Sequence, residues 1–146
     1  MFRTHNNGEL RLSHVNQEVT LVGWVSKKRN LGSLVFIDLR DRYGYTQVLL
    51  EEDKFPNAKE IKSEYIIQVK GIVTKKDVPN PKLETGEIEV VANDLKIVNT
   101  SELPPFIIAD ETDALEDTRL KYRYLDLRRP VMQNYLKTRA KIVRAC

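Results

Sequence analysis

The sequence predicts an all-β barrel, and three observations carry that expectation. Five runs in the first hundred residues alternate apolar and polar side chains with the two-residue period of a strand. A short helical signal separates the third run from the fourth. The connections between runs carry the Gly, Pro, Asn and Asp chemistry of turns.

Each element follows from its residues. The first strand is expected through "EVTLVGWVSKKR", the second through "GSLVFIDLRD" and the third through "YTQVLLEE". In "FPNAKEIKSE" a helical turn starts near Pro56, because the fixed φ of proline suits the first position of a helix. Two further strands follow in "YIIQVKGIVTKK" and "GEIEVVANDLKIVN", joined by "DVPNPKLETG", which has the composition of a long hairpin loop. Five strands with a helix between the third and fourth match the small Greek-key barrel called the OB-fold. That barrel usually binds oligonucleotides or oligosaccharides on its second and third strands and their neighbouring loops.

Composition bounds the function. With 146 residues, 41% hydrophobic and 31% charged, the chain has the make-up of a soluble globular protein with one well-buried domain and part of a second. No run has the length of a signal peptide or of the roughly 20 apolar residues that span a membrane, so the cytoplasm is the expected compartment. The single cysteine, Cys146, excludes an internal disulfide and a cysteine-rich metal site.

Charge is uneven along the chain. Residues 1–100 hold 15 bases and 14 acids, residues 101–118 hold six acids and no base, and residues 119–146 hold nine bases and one acid, Asp126. Such asymmetry predicts separate units: a barrel over 1–100, a linker or hinge over 101–130, and the first helix of a truncated second domain over 131–146. The "LPP" in the acidic stretch cannot continue a strand or helix, and Phe106, Ile107 and Ile108 need cover, so the linker is expected to be ordered. Pro130 opens a helix in which Met132, Tyr135, Leu136, Ala140 and Val143 share helical spacing. That helix lacks a stop signal and a domain to pack on, which predicts a fragment cut just inside the second domain.

On the second strand Val35, Ile37 and Leu39 form the core face, which turns Phe36 and Asp38 outward, and the third strand turns Gln47 the same way. An outward aromatic ring is a platform for base stacking, and an amide can read a base edge. Cover by the linker or the helix is an equally good account of Phe36, and a solvated surface role is the simpler account of Gln47. Lys27, Lys28 and Arg29 end the first strand and Lys75 and Lys76 end the fourth, so two basic clusters can flank this face and hold phosphates. Runs of this kind also occur as solvated strand edges. Glu89 falls on the outward phase opposite Ile88 and Val90; a carboxylate repels an RNA backbone but accepts hydrogen bonds from guanine, and a plain exposed strand glutamate is the alternative.

Three segments in order, "LRLSHVNQEVTLVGWVSKKRNLGSLVFIDLRDRYGYTQVLL", "TGEIEV" and "RLKYRYLDLRRP", closely resemble the N-terminal part of bacterial aspartyl-tRNA synthetases, over nearly the whole chain. The pairing of "LGSLVFIDLRDR" with "RYLDLRRP" is the specific part and favours aspartate over asparagine or lysine synthetases. The resemblance implies a barrel that binds the anticodon loop of tRNA(Asp). It implies that Phe36 stacks, that Gln47 and Arg29 contact the central uracil, that Glu89 recognises the first-position guanine, and that Asn80 with Lys76 contacts the third base. Arg119 and Arg123, with Lys121, Arg128 and Arg129, fall in the hinge, where they could meet RNA backbone. The resemblance places aminoacylation, with its ATP, Mg²⁺ and aspartate, beyond residue 146 in a homodimeric parent. No catalytic or metal-binding residue is expected in this chain, whose His5 and His14 stand alone. A non-specific single-strand-binding barrel and a protein-interaction barrel anchored by Phe36 are the readings from other classes.

Overall fold

The computed structural model describes residues 2–145; Met1 and the sole cysteine, Cys146, lie outside the described residues. After a 3-10 turn at Leu12–His14 come strands β1 (Glu18–Leu31), β2 (Leu34–Arg40) and β3 (Tyr45–Glu51), a 3-10 turn at Pro56–Glu60, then β4 (Ile66–Lys75) and β5 (Ile88–Asn99). Helices α1 (Glu116–Lys121), α2 (Arg123–Asp126) and α3 (Pro130–Ala145) complete the order. The helix expected after β3 is thus a 3-10 turn, with Pro56 in its first turn as the sequence requires.

The strands close into a barrel in the order β1-β2-β3-β5-β4, with β4 returning to β1. The β3–β5 pair is parallel and the other four are antiparallel. Alternation fills the interior: Val19, Leu21, Val25, Val35, Ile37, Leu39, Val48, Leu50, Ile67, Val69, Val73, Ile88 and Val90 are each no more than 1% exposed. This is the all-β OB-fold the sequence predicts, and the alternating pattern is its physical cause.

Register shifts between Val25 and Lys27, between Ile66 and Ile67, and between Lys70 and Gly71 shape it. Gly71 faces a bulge where Lys70 pairs with Asp94 and Gly71 with Ala92, leaving Asn93 as the extra residue of β5. A Cβ at Gly71 would lie 2.2 Å from the Val91 carbonyl oxygen, so only glycine lets the strands approach there. On β1 the register shifts between Val25 and Lys27, making Ser26 the extra residue.

The chain divides into two compact units, one ending at Leu103 and the next beginning at Pro104. In the second unit Phe106, Ile108 and Leu125 bury one another, with Ala114 and Tyr122 packed alongside. Ile107 stays 70% exposed. The carboxylate of Asp126 is buried between two guanidiniums, Arg123 at 3.0 Å and Arg129 at 2.7 Å. Asp110 accepts from the Val131 amide at 2.9 Å and so caps the start of α3. Helix α3 covers 131–145 of the 131–146 expected to be helical, Cys146 lying outside the described residues, and its Tyr135, Leu136 and Val143 are exposed while Val131 and Met132 are half-buried.

Candidate nucleic-acid interface

The outward face of β1, β2 and β3, continued on β5, is built by register. Arg29 pairs with Phe36 and Phe36 with Leu49, which lies beside Val91, giving one row across the barrel. A parallel row runs from Lys27 to Asp38 to Gln47. Gln47 Nε2 donates to Glu89 Oε2 at 3.0 Å, which extends the second row onto β5. Phe36 is half-buried in the first row, between Arg29 and Leu49, and its inward neighbours Val35 and Ile37 are closed to solvent.

The Ser26 bulge decides which bases of "SKKRN" reach this face. Before it, the odd-numbered residues Val19, Leu21 and Val25 point inward; without a bulge Lys27 and Arg29 would follow them. The extra residue reverses the phase, so Lys27 and Arg29 join the outward rows and Lys28 pairs with the core residue Ile37. Lys28 therefore departs from the expectation of a phosphate contact. Its ammonium donates to the carbonyls of Ala58, Lys59 and Ile61 at 2.7, 3.1 and 3.3 Å, closing the end of the 3-10 turn. Burial pushes its pKa below the ordinary 10.5, against the opposing pull of Glu52.

The two lysines should consequently separate on mutation. Lys28→Met is expected to cost stability, about 1–3 kcal/mol for the carbonyls left without a donor. Lys27→Gln should leave the melting temperature unchanged, weaken binding to every RNA about equally and flatten its salt dependence. A Lys27 variant that loses affinity for one loop sequence alone would place this lysine on a base instead.

Opposite charges are interleaved on the face. Arg29 Nη2 lies 3.3 Å from Asp38 Oδ1, a pair open enough to solvent to rearrange around a ligand. Sequence reasoning put Asp38 on this face but gave it no role; its position opposite Lys27 and diagonal to Arg29 is the signal that it orients the guanidinium. Lys76 is buried, only 8% exposed, and its amide donates to the Glu87 carbonyl at 2.9 Å. Burial lowers its pKa from 10.5, while Glu89 and Asp38 push it upward and Arg29 pushes it down, so its ammonium sits among the groups of the face. The charged form carries a cost that is present at neutral pH and is relieved only as pH rises toward 10.5. A ligand acceptor beside Lys76 would remove that cost.

Asn80 is exposed in the loop between β4 and β5, where its Oδ1 accepts from the Lys82 amide at 3.1 Å. Lys75 is exposed on the strand position paired with Ile88. The hinge arginines belong to the second unit, where the half-exposed Arg123 guanidinium pairs with the buried Asp126 at 3.0 Å. Arg119 is half-buried there, with its Nε enclosed and unbonded. Among the described residues no group of three or more His, Cys, Asp or Glu side chains could hold a metal ion, and no helix is long and apolar enough to cross a membrane.

A family model, tRNA anti-codon, described as an OB-fold nucleic acid binding domain, matches residues 19–98. The chain belongs to this family. The matched span holds the outward rows with Arg29, Phe36, Gln47 and Glu89, and the buried Lys76 beside them. The aspartate–tRNA ligase of Mycoplasma capricolum is 54% identical over 142 residues, which cover 97% of this chain and 25% of that protein. The aspartate–tRNA(Asp/Asn) ligase of Acidobacterium capsulatum is 48% identical over 149 residues, 98% of this chain and 24% of that protein. The chain spans about a quarter of the length of these curated relatives. Among solved structures, asparaginyl-tRNA synthetase from Pyrococcus horikoshii matches with a TM-score of 0.81 and 25% identity, over 99% of this chain and 34% of that one. The resemblance to bacterial aspartyl-tRNA synthetases carried by "LGSLVFIDLRDR" and "RYLDLRRP" is borne out by these relatives.

Proposed function

We propose that this chain is the anticodon-reading part of an aspartate–tRNA ligase that attaches aspartate to tRNA(Asp). The observation that carries the reading is the Gln47–Glu89 hydrogen bond of 3.0 Å beside an outward Phe36 on an OB-fold of the tRNA anti-codon family. A carboxylate with one oxygen engaged by an amide keeps lone pairs for a guanine edge, and the adjacent ring stacks the next base. Glu89 takes the first anticodon base, Phe36 with Gln47 and Arg29 the central one, and Asn80 with Lys76 the third. Lys27 and Lys75 hold phosphates. Residues 1–100 form the recognition domain, 101–130 the hinge and 131–146 the first helix of the catalytic domain. ATP and Mg²⁺ belong to that further domain of the parent, which acts as a homodimer in the cytoplasm. A solved asparaginyl-tRNA synthetase binds asparaginyl-adenylate, which supports adenylate chemistry in the parent.

The test is affinity for an RNA hairpin with a GUC loop against hairpins in which each of the three bases is changed. Preference for GUC at all three positions supports the reading. Equal affinity for all loops would replace it with the non-specific single-strand binder, tight binding of UUU loops with that of a lysine synthetase, and GUU bound above GUC with that of an asparagine synthetase. Phe36→Ala should leave the fold intact and weaken GUC binding by about 1–3 kcal/mol, the usual loss of one stacked base. A fall in stability of roughly 3–5 kcal/mol with unchanged affinity would instead make Phe36 a core residue.

A further inference from the structure

A cleft of about 270 Å³ lies beyond Gln47 at the start of β3, walled by Gly8, Tyr43, Tyr45, Lys82, Leu83, Glu84 and Thr85. None of these residues has a place in the anticodon assignments above. Three chain segments meet there and each is fixed to the next. The Asp41 carboxylate accepts from the amides of Tyr43 and Gly44 at 2.7 and 3.1 Å and from Asn7 at 2.9 Å. Gly8 packs directly on the turn, since a Cβ on it would lie 2.2 Å from the Tyr43 carbonyl oxygen. Thr85 donates its hydroxyl to the Tyr45 carbonyl. Arg11 donates to the Gly8 carbonyl and to Glu84 Oε2, both at 2.8 Å.

We infer that this cleft takes a fourth base of the RNA loop, the nucleotide on the 3′ side of the anticodon, stacked on Tyr45 with its phosphate at Lys82. The inference rests on the anticodon reading above. Tyr45 occupies the same outward phase of β3 as Gln47 and Leu49, with Thr46, Val48 and Leu50 facing the core between them. Two residues along a strand advance about 7 Å, so Tyr45 is the next outward position along β3 from Gln47, which meets the central base. The loop that presents Asn80 to the third base runs directly into Lys82, Leu83 and Thr85, so a strand leaving that base arrives at the cleft.

Charge around the mouth fits a nucleotide. The Arg42 and Arg3 guanidiniums lie 5.3 and 5.9 Å from the centre of the Tyr43 ring, and Lys82 is exposed. The nearby acids are already engaged, Glu84 by Arg11 and Asp41 by backbone amides and Arg3. Walls fixed in advance spare the ordering cost that a mobile loop would incur on binding. An aromatic wall accepts any base by its π face, so this subsite adds affinity and register without adding sequence preference.

The test uses the full chain and GUC hairpins that are intact, abasic at the nucleotide 3′ of the anticodon, or abasic at the nucleotide 5′ of it. The 3′ abasic hairpin should bind wild type roughly 5- to 100-fold more weakly, the loss of one stacked base, and the 5′ abasic hairpin should bind as the intact one does. Tyr45→Val should show the same loss with the intact hairpin and no further loss with the 3′ abasic one, because both changes remove one contact. Lys82→Gln should reduce the salt dependence of binding. Equal affinity for intact and 3′ abasic hairpins, losses that add in the Tyr45 variant, or a loss confined to the 5′ abasic hairpin overturns the inference. The hairpin changes leave the protein untouched, so a misfolded variant cannot obscure the result. If GUC is preferred over altered anticodons while the 3′ abasic hairpin loses nothing, the cleft fails and the anticodon reading stands; if GUC has no preference, the reading itself fails.

Discussion

Glu64→Gln is expected to destabilise the barrel by about 3–5 kcal/mol, the cost of leaving one half of a buried ion pair without its partner. Arg40 Nη2 lies 3.0 and 2.9 Å from the two carboxylate oxygens of Glu64, and the residues are only 8% and 7% exposed. The pair joins the end of β2 to the entry of β4. Glu64 is held there by its own backbone, with φ of +66° and its amide donating to the Val25 carbonyl at 2.7 Å. Glutamine keeps the volume but leaves the guanidinium charge buried against a neutral amide. The sole tryptophan, Trp24, sits on β1 opposite Arg40, so urea unfolding followed by its fluorescence reports this unit by itself. A loss well under 1 kcal/mol would mean that water reaches Arg40 and that the pair is a surface contact. Replacing both partners with apolar residues should, by contrast, be close to neutral.

That pair also marks where sequence reasoning stops. Alternation placed Val35, Ile37 and Leu39 inside and Phe36, Asp38 and Gln47 outside, and the barrel follows, because a two-residue period is a property of the strand itself. Two residues beyond Asp38, Arg40 falls on the same outward phase of that alternation. It is buried because Glu64, 24 positions later, meets it, and nothing in either local pattern announces the partner. The Ser26 bulge is the second case. One inserted residue in β1 changes the faces of Lys27, Lys28 and Arg29, and "VSKKRN" carries no glycine or proline to betray it. The three bases read alike in sequence, yet two face the outward rows and one caps a 3-10 turn. The Gln47–Glu89 contact was legible only as two outward residues on separate strands. Their meeting depends on the parallel β3–β5 pairing that closes the barrel, which is set by the fold and not by either strand.

Glu89→Gln should lower affinity for a GUC hairpin and narrow the gap between GUC and AUC by about 1–3 kcal/mol, the range for a good bidentate base contact. Guanine presents N1–H and N2–H₂ on its Watson–Crick edge, and a carboxylate can accept from both, whereas adenine presents an acceptor at N1 and no amine at C2. Glu89 is held for this by Gln47, which occupies Oε2 at 3.0 Å and fixes the plane of the group. Lys76 lies close enough for the Glu89 charge to raise its pKa, so the substitution also removes a countercharge from a buried ammonium. That makes the sign of the result informative. Removing a negative charge and freeing a positive one should, on electrostatics alone, tighten binding to any RNA. Base recognition predicts the reverse for GUC and little change or a gain for AUC. The measurement is the ratio of the two affinities at fixed salt, which cancels the shared electrostatic term. If Glu89→Gln strengthens GUC and AUC by the same factor, the ratio is unchanged, Glu89 is only a surface charge, and the first anticodon base is read elsewhere on the face.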